Sequence, residues 1–289
     1  MFAVCCHDAG GSEIISSYVL REKSNPLFCL SGPAVEIFER KLGKINNIKI
    51  SEAISQIDWL LCGTSWQSSL EWKALELAKQ KKVHSVTFLD HWVNYHERFV
   101  RSNVKHLPDE IWVGDKYAKS IVTEIFPNSL IKLVNNPFLE SIHEKYKKIT
   151  RIKKSTKTGV RVLFVSDNIG ESSIQLYGDE KYFGYNDNDV LNYCLSNIGT
   201  IDNNISKIII RPHPSESIKK FYWAKNYCNK SVELGGKLTL LEEIAQSDIV
   251  VGANSMAMIV ALYCGKRVVS CIPPGGKKCI LPYEKIEKL

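Results

Sequence analysis

The sequence predicts an α/β protein built from two domains, each with a parallel β-sheet between helices. Short apolar runs typical of strands alternate with helix-like segments along the whole chain. The strand-like runs are almost continuously apolar, as expected when both faces of a sheet are covered. The alternation pauses once, at a basic run between residues 145 and 157, and then restarts. We therefore predict two Rossmann-like domains, residues 1–150 and 151–289, that bind a ligand in the cleft between them.

The first half of the chain contains six strand-like segments and four helix-like segments. The strands are short apolar runs that end in small or polar residues, and they cover 2–6, 26–32, 57–65, 84–92, 109–115 and 131–137. The helices have apolar residues at helical spacing, most clearly in 69–82, and cover 12–23, 34–43, 69–82 and 116–126.

The second half repeats the alternation with four strands and four helices. The strands cover 160–168, 207–214, 248–255 and 266–276. The helices cover 187–199, 215–228, 239–247 and 256–265. Because the segment 256–265 is apolar on every face, we expect that helix to be buried.

The net charge of +7 is concentrated in one place. Residues 145–157 ("KYKKITRIKKSTK") contain seven Lys or Arg and no Asp or Glu, so the rest of the chain is nearly neutral. A surface that is not generally basic argues against a nucleic-acid partner. The run itself is either a solvated linker or a patch that contacts anionic lipid headgroups or an anionic acceptor.

The nine cysteines include no CxxC pair, and their spacing fits no zinc site. We interpret them as free thiols packed in apolar segments, which indicates a reducing compartment. The first residues lack the pattern of a secretory signal, and no apolar stretch is long enough to span a membrane. We therefore expect a cytoplasmic protein, with a peripheral contact at the inner membrane face if the basic run binds headgroups.

In open α/β sheets, ligands bind beyond the carboxyl ends of the strands. The strand at 207–210 is followed there by "RPHPSE". Two prolines restrict the backbone on both sides of His213 and hold it in a rigid turn. With a helix predicted from Ser215, we expect Arg211, His213, Pro214 and Glu216 to surround an anion such as a phosphate.

Two further strand ends in the second half carry groups that suit a nucleotide. In "GANSMAM" (252–258), Asn254 or Ser255 caps the next helix, so a hydroxyl and backbone N–H groups are available to a phosphate. In "SDNIGES" (166–172), Asp167 and Asn168 follow a strand. We found no GxGxxG or P-loop motif, which argues against a nicotinamide or P-loop site.

The strand ends of the first half carry candidates for a base and for acceptor binding. In "HDAGG" (7–11), Gly10 and Gly11 allow a close backbone approach, and Asp8 beside His7 is either a general base or a helix cap.

The segment "DHWVNYHERF" (90–99) places Asp90, His91 and Arg98 among aromatic residues. Aromatic rings and arginine suit sugar faces and carboxylates, so we expect a substrate-facing loop here. We predict no metal site.

The two predicted Rossmann-like halves resemble the GT-B fold of bacterial glycosyltransferases. The "RPHP" stretch, followed about forty residues later by Ser255 at a helix start, is similar to the His-Pro and Ser motifs of sialyltransferase- and polysialyltransferase-like enzymes and of capsule Kdo transferases. This resemblance implies that His213 and Pro214 bind the phosphate of a CMP-sugar and assist its departure, together with Ser255. It also implies an acidic base in the first domain, for which Asp8 is the nearest match and Asp90 the alternative.

The resemblance further implies an inverting, metal-independent transfer of a nonulosonic acid or Kdo to a surface glycan, in capsule or lipopolysaccharide biosynthesis. The nucleotide sugar is then a co-substrate, and no other cofactor is expected. Two alternatives stay open. One is a CDP-polyol phosphotransferase or a nucleotide-sugar epimerase or hydrolase of the same fold, and the other is a non-catalytic module that binds a nucleotide or glycan.

Overall fold

The structure is a computed structural model that describes residues 1–65, 68–152, 159–227 and 230–289. The chain divides into two compact units, Met1–Ser141 and Ile142–Leu289. We refer to them as the amino-terminal and carboxy-terminal units. The boundary predicted from the sequence, after residue 150, lies nine residues beyond this division and inside a helix.

The amino-terminal unit contains a six-stranded sheet in the order β2-β1-β3-β4-β7-β8. All neighbouring strands in it pair in parallel. Its strands are β1 (Phe2–Cys6), β2 (Leu27–Leu30), β3 (Trp59–Cys62), β4 (His84–Leu89), β7 (Glu110–Val113) and β8 (Leu130–Leu133). A separate antiparallel hairpin consists of β5 (Val100–Arg101) and β6 (Val104–Lys105).

Helices connect these strands, as parallel pairing requires. They are α1 (Ala9–Arg21), α2 (Pro33–Leu42), α3 (Ile50–Ala53), α4 (Leu70–Lys81), α5 (Tyr95–Phe99) and α6 (Lys116–Ile125), followed by α7 (Pro137–Ile152). The core between helices and sheet is apolar and includes Val4, Phe38, Leu61 and Phe88.

The carboxy-terminal unit has a second six-stranded sheet in the order β11-β10-β9-β12-β13-β14, again parallel throughout. Its strands are β9 (Val160–Val165), β10 (Ile205–Arg211), β11 (Ser231–Leu234), β12 (Ile249–Gly252), β13 (Arg267–Ser270) and β14 (Ile286–Lys288). Its helices are α8 (Ile169–Tyr177), α9 (Asp187–Ser196), α10 (Ile198–Ile201), α11 (Leu240–Gln246) and α12 (Met256–Tyr263). Phe164, Tyr185, Ile208 and Phe221 belong to its core.

Both sheets have the strand order that creates a topological switch point. In the amino-terminal unit the chain moves from β1 to β2 and then returns to the other side of β1 to form β3. In the carboxy-terminal unit it moves from β9 through β10 to β11 and returns beside β9 to form β12. Ligands of open α/β sheets bind at the carboxyl ends of the strands that flank such a switch. These strands are β1 and β3 in one unit, and β9 and β12 in the other.

One predicted helix is different in the structure. The segment 215–228 was expected to be α-helical from Ser215, but the chain forms a turn and then a 3₁₀ helix, Ile218–Asn226. The turn is closed by a hydrogen bond from the Glu216 N–H to the His213 carbonyl (2.9 Å), and Ser217 caps the 3₁₀ helix through the Lys219 N–H. Pro214 favours this turn because its fixed backbone suits a turn position. The expected helix N-terminus beside His213 is therefore absent.

The basic run is partly helical. Lys145, Lys147 and Lys148 are exposed on α7, so this part of the run is solvated and helical. Residues 153–158, which complete it, lie outside the described residues.

In the ranges that the structure describes, no helix is both long enough and apolar enough to cross a membrane. The eight described cysteines are free thiols, and all of them except Cys279 are buried. Cys5 stands opposite Cys29 on one neighbouring strand and opposite Cys62 on the other.

The central strand of the carboxy-terminal sheet should dominate the stability of that unit. Leu163 on β9 is completely buried, so we expect Leu163→Ala to lower the free energy of unfolding by about 2–5 kcal/mol. Leu238→Ala serves as the control, because Leu238 is an exposed leucine of the same unit. Urea denaturation of both variants measures the difference, and equal losses would contradict the assigned core.

Candidate functional site

The first group of candidate side chains follows β1. Asp8 occupies the N-cap position of α1, but its side chain makes no capping hydrogen bond. Instead, Asp8 Oδ1 lies 2.6 Å from His7 Nδ1. Both side chains are partly exposed, at 22% and 26% of their surface. The alternative that Asp8 serves only as a side-chain cap is therefore wrong, and the His7–Asp8 pair is accessible.

Sequence analysis missed the third member of this group, Glu71 in the first turn of α4. Glu71 is only 3% exposed. Its Oε1 accepts a hydrogen bond from the His7 N–H at 2.6 Å, and its Oε2 is buried without a hydrogen-bond partner. Burial raises the pKa of Glu71 to about 7, and the nearby Asp8 charge adds to this effect. A carboxyl group of this kind can hold or release a proton near neutral pH beside the His7–Asp8 pair.

Asp90, at the end of β4, has a structural partner. Its Oδ1 accepts hydrogen bonds from Arg98 Nη1 at 2.6 Å and from the Thr64 hydroxyl at 3.1 Å. Arg98 is 7% exposed and also contacts Thr64. Its charge is therefore neutralised inside the protein rather than offered to a substrate, although the sequence predicted a substrate-facing role.

The two glycines of "HDAGG" are required by close packing within the protein. A Cβ at Gly10 would lie 2.0 Å from Asp90 Oδ2, and one at Gly11 would lie 3.2 Å from the Gly63 Cα. The sequence indicated that the backbone of these glycines approaches another group closely. In the structure these groups are the Asp90 carboxylate and Gly63, which follows β3. This carboxylate lies against the first turn of α1, where a negative charge is favourable.

His91, also predicted to face a substrate, is largely enclosed. Burial lowers the pKa of its imidazole, and its Nδ1 has no hydrogen-bond partner. A neutral ring is therefore favoured at this position.

In the carboxy-terminal unit, His213 lies in the turn after β10 and is exposed. Its Nδ1 lies 2.6 Å from the Ser215 hydroxyl oxygen and 3.3 Å from the Ser215 backbone nitrogen. Asn168, which follows β9, donates from Nδ2 to the same hydroxyl oxygen at 2.8 Å. The Ser215 hydroxyl therefore joins the end of β9 to the turn after β10 and contacts the His213 imidazole.

A second network holds the backbone of this turn. The His213 N–H donates to Glu216 Oε2 at 2.8 Å, and Glu216 Oε1 forms an ion pair with Lys220 at 2.6 Å. Lys220 also binds Asp187 Oδ2 at 2.8 Å. Glu216 thus orients His213 through the protein, whereas the sequence suggested direct nucleotide binding.

Asp187 is the first residue of α9, and its carboxylate lies at the start of α8. It accepts hydrogen bonds from the N–H groups of Ile169 (2.9 Å) and Gly170 (3.1 Å). Burial alone would raise the pKa of Asp187, but the Lys220 ammonium and these N–H groups outweigh it and hold the pKa below its ordinary value. This helix start is therefore already occupied by a carboxylate of the protein.

Arg211 points its charge at an internal partner. Its Nη1 donates to Glu243 Oε2 at 2.7 Å and to the Leu238 carbonyl at 3.0 Å. Glu243 is 3% exposed. The pair closes the end of β10 against α11, so phosphate binding by this Nη1 would compete with a buried ion pair.

Asp167 and Asn254 connect the ends of β9 and β12. The Asn254 N–H donates to Asp167 Oδ2 at 2.7 Å, and Asp167 Oδ1 is buried without a partner. Burial raises the pKa of Asp167 to about 7, against the opposing hydrogen bond from Asn254. The Asn254 side chain is committed to Tyr185 and to the Ile280 N–H. Ser255 caps α12 through the Ala257 N–H, which confirms the predicted helix start.

The predicted nucleotide-binding residues therefore gather at one edge of the carboxy-terminal sheet. They follow three adjacent strands, β10, β9 and β12, in that spatial order. His7, Asp8, Gly10, Gly11, Asp90, His91 and Arg98 likewise gather at the carboxyl edge of the amino-terminal sheet.

A cavity of about 630 Å³ lies at the other edge of the amino-terminal sheet, lined by Lys79, Lys82, His84, Lys105 and Asp109 among others. It contains none of the predicted site residues. Among the described residues, no group of three or more His, Cys, Asp or Glu side chains is placed to hold a metal ion.

Comparison with known proteins identifies the fold. The chain is similar to the UDP-GlcNAc 2-epimerase of Methanocaldococcus jannaschii, with a TM-score of 0.59 and 12% identity over 93% of this chain and 83% of the other. It is also similar to a putative UDP-N-acetylglucosamine 2-epimerase of Listeria monocytogenes, with a TM-score of 0.57 and 12% identity over 93% and 78% of the two chains.

A weaker likeness is to an α/β-galactoside α-2,3-sialyltransferase of Photobacterium phosphoreum. Its TM-score is 0.47, with 12% identity over 96% of this chain and 90% of the other. No protein-family model and no curated protein sequence matches the chain. At 12% identity the likeness to the two epimerase structures concerns the fold alone, and it confirms the predicted two-domain α/β architecture of GT-B type.

The Asp90–Arg98 pair supports a first prediction about the site. Because Asp90→Asn leaves the buried guanidinium without a counter-charge, we expect it to lower the unfolding free energy of the amino-terminal unit by roughly 3 kcal/mol. Asp8→Asn is the matched variant at the same edge, and its more exposed side chain should make the loss much smaller. Thermal and urea unfolding would contradict this assignment if the two variants were equally stable.

Glu71 supports a second prediction. Its pKa is raised from about 4.5 to about 7 on folding, so the folded state binds more protons than the unfolded state between these values. Stability of the amino-terminal unit should therefore fall as pH rises from 4.5 to 7. Glu71→Gln, which cannot ionise, should flatten this slope.

Tryptophan fluorescence in a Trp223→Phe background can follow this unit, because the other five tryptophans belong to residues 1–141. Each protein is unfolded in urea at several pH values. An unchanged slope in Glu71→Gln would show that Glu71 titrates normally.

Proposed function

We propose that the protein is a glycosyltransferase that moves a CMP-activated acidic sugar, a nonulosonic acid or Kdo, to a surface-glycan acceptor. The observation that carries this proposal is the arrangement at the switch point of the carboxy-terminal sheet. There His213 follows β10 and is held by Ser215 and by Asn168, which follows the neighbouring strand β9. On its other side β9 pairs with β12, the strand that leads to the Ser255 cap of α12. A rigid imidazole near a helix start suits a nucleotide phosphate.

On the donor side, His213 Nε2 and the Ser255 region would contact the phosphate of the nucleotide. Pro214 holds the turn that presents the imidazole, and Glu216 fixes its backbone. Arg211 would contribute only indirectly, because its Nη1 is engaged with Glu243. Asp167 would act indirectly, because its carboxyl group is buried and holds the Asn254 backbone beside the Ser255 cap.

On the acceptor side, Asp8 is the base that we propose. The acceptor oxygen attacks the anomeric carbon and gives its proton to Asp8, while the bond from that carbon to the phosphate oxygen breaks. Attack opposite the leaving phosphate inverts the configuration at this carbon. Asp8 is favoured over Asp90 because Asp90 already neutralises a buried arginine. His7 would stabilise the charge of Asp8 through their 2.6 Å contact. No step requires a metal ion.

A second candidate is a nucleotide-sugar epimerase. The observation in its favour is that two solved structures described as UDP-GlcNAc 2-epimerases have TM-scores of 0.59 and 0.57 and cover 93% of the chain. Epimerisation also needs groups that exchange protons near neutral pH, and Glu71 with its pKa of about 7 meets that need. Incubation with UDP-GlcNAc in the absence of an acceptor would produce an epimer only under this alternative.

The exposed lysines of α7 suggest where the protein would meet a membrane. We propose that Lys145, Lys147 and Lys148 contribute to a peripheral contact with anionic headgroups at the inner membrane face. The same charges would also suit an anionic glycan acceptor.

The proposed transfer is tested with two variants and two controls. His213→Ala and Asp8→Asn should each reduce turnover at least 10²-fold, since each removes a group that acts on the reacting bond. His84→Ala and Asp58→Asn change the same residue types at the opposite edge of the amino-terminal sheet and should leave turnover unchanged. Asp8→Asn should retain donor affinity, whereas His213→Ala should lose it.

The assay compares CMP-, CDP- and UDP-linked donors and identifies products by mass spectrometry. Calorimetry with CMP, CDP and UDP measures binding separately from turnover. Normal turnover in His213→Ala would refute the donor site. Binding without turnover in every acceptor mixture would favour the non-catalytic alternative.

A further inference from the structure

The hydrogen bonds around His213 determine which of its two ring nitrogens carries the proton. Ser215 supplies two groups within reach of Nδ1, its hydroxyl at 2.6 Å and its backbone N–H at 3.3 Å. A backbone N–H can only donate. The Ser215 N–H contact therefore requires Nδ1 to be the acceptor, without a proton of its own.

Asn168 orients the Ser215 hydroxyl so that it, too, donates to His213 Nδ1. Its Nδ2 donates to the Ser215 hydroxyl oxygen at 2.8 Å and to Glu171 Oε2 at 3.2 Å. Because an ionised carboxylate only accepts, Glu171 fixes the amide so that its NH₂ group faces both partners. The Ser215 oxygen thus accepts from Asn168, and its own proton remains for His213 Nδ1.

We propose that Asn168 and Ser215 are positioning residues that form a one-way hydrogen-bond relay and hold His213 as the Nε2–H tautomer. Every donor in the relay points towards the imidazole. A neutral imidazole carries one N–H proton. Because Nδ1 has none in this tautomer, Nε2 carries it and is a hydrogen-bond donor. Asn168 would act at a distance, through Ser215, without touching the ligand.

The relay gives His213 a specific chemical role. A neutral imidazole with Nε2–H donates to a phosphate oxygen, whereas the opposite tautomer would present a lone pair and repel it. This consequence rests on the proposed function, because it assumes that Nε2 faces the donor phosphate. The tautomer itself does not depend on that assumption.

The backbone of the turn has its own support, separate from the relay. Glu216 accepts the His213 N–H and is held by Lys220 and Asp187. A change at Asn168 can therefore alter the protonation pattern of the ring without removing these contacts.

The test uses the imidazole ¹⁵N chemical shifts of His213 at pH 8, where an ordinary histidine is neutral. The wild type should show the Nε2–H pattern. Asn168→Asp replaces the donor by an acceptor, which should draw the Ser215 proton away and increase the Nδ1–H or doubly protonated form. Asn203→Asp adds the same charge at an exposed position of the carboxy-terminal unit and should leave the pattern unchanged.

Ser215→Ala is the second variant, in case Asn168→Asp perturbs α8. It removes the hydroxyl but keeps the backbone N–H, so the His213 shifts should move towards those of a histidine with an unbound Nδ1. A wild-type spectrum with Nδ1–H would overturn the proposal. So would identical His213 shifts in the wild type, Asn168→Asp and Ser215→Ala.

The same samples distinguish a failure of the proposed relay from a failure of the proposed function. CMP is added to each protein, and binding is followed by the His213 Nε2 signal. The expected result is about tenfold to hundredfold weaker binding in Asn168→Asp, the range for loss of a hydrogen bond to a charged group. If the shifts behave as expected but no CMP-, CDP- or UDP-linked compound binds, the relay stands and the proposed function fails.

Discussion

The buried carboxylate of Asp187 holds the candidate donor site together. It accepts the first N–H groups of α8, and it binds the ammonium of Lys220 on the 3₁₀ helix. Lys220 also forms an ion pair with Glu216, which accepts a hydrogen bond from the backbone N–H of His213. The end of β9, the start of α8 and the turn after β10 are thus coupled by one side chain. Neutralising it would release all three, since each partner would lose its counter-charge or acceptor.

Carboxylates of the protein itself stand at the starts of two helices on the candidate edges. The carboxylate of Asp187 lies at the start of α8, and the carboxylate of Asp90 lies at the first turn of α1. Helix starts favour anions, and at both of these starts the anion is a carboxylate of the protein itself. The region around Ser255, at the start of α12, is therefore better suited to bind an external phosphate than the starts of α8 and α1. This distinction narrows the proposed donor site to His213 and the Ser255 region.

Much of the fold was readable from the sequence because parallel strands leave a clear pattern. The runs that became β1, β9, β10 and β12 are short, apolar and followed by polar residues, which also located the edges that carry the site. Helix α7 was missed because its lysines look like a solvated linker. Helix α8 was missed because serines and a glycine interrupt its apolar spacing.

The residues that support the site were harder to find for a physical reason. Glu71 is 64 positions from His7 along the chain, and nothing near it in sequence shows that α4 brings it under the turn after β1. Arg211 and Arg98 looked like ligand-binding cations until their buried partners, Glu243 and Asp90, were visible. Sequence locates charged groups near a strand end, but only tertiary packing decides which of them are already paired.

The near-neutral pKa values of Glu71 and Asp167 affect how the protein would respond to a bound anion. Burial raises the pKa of each carboxyl group to about 7, and each lies at the strand-end edge of its own unit. A phosphate or acidic sugar that binds beside either group disfavours the ionised form and draws a proton from solution. The heat of binding would then include the ionisation enthalpy of the buffer, and apparent affinity would rise as the medium became more acidic. Acidic ligands would be retained more firmly wherever the surroundings fall below neutrality.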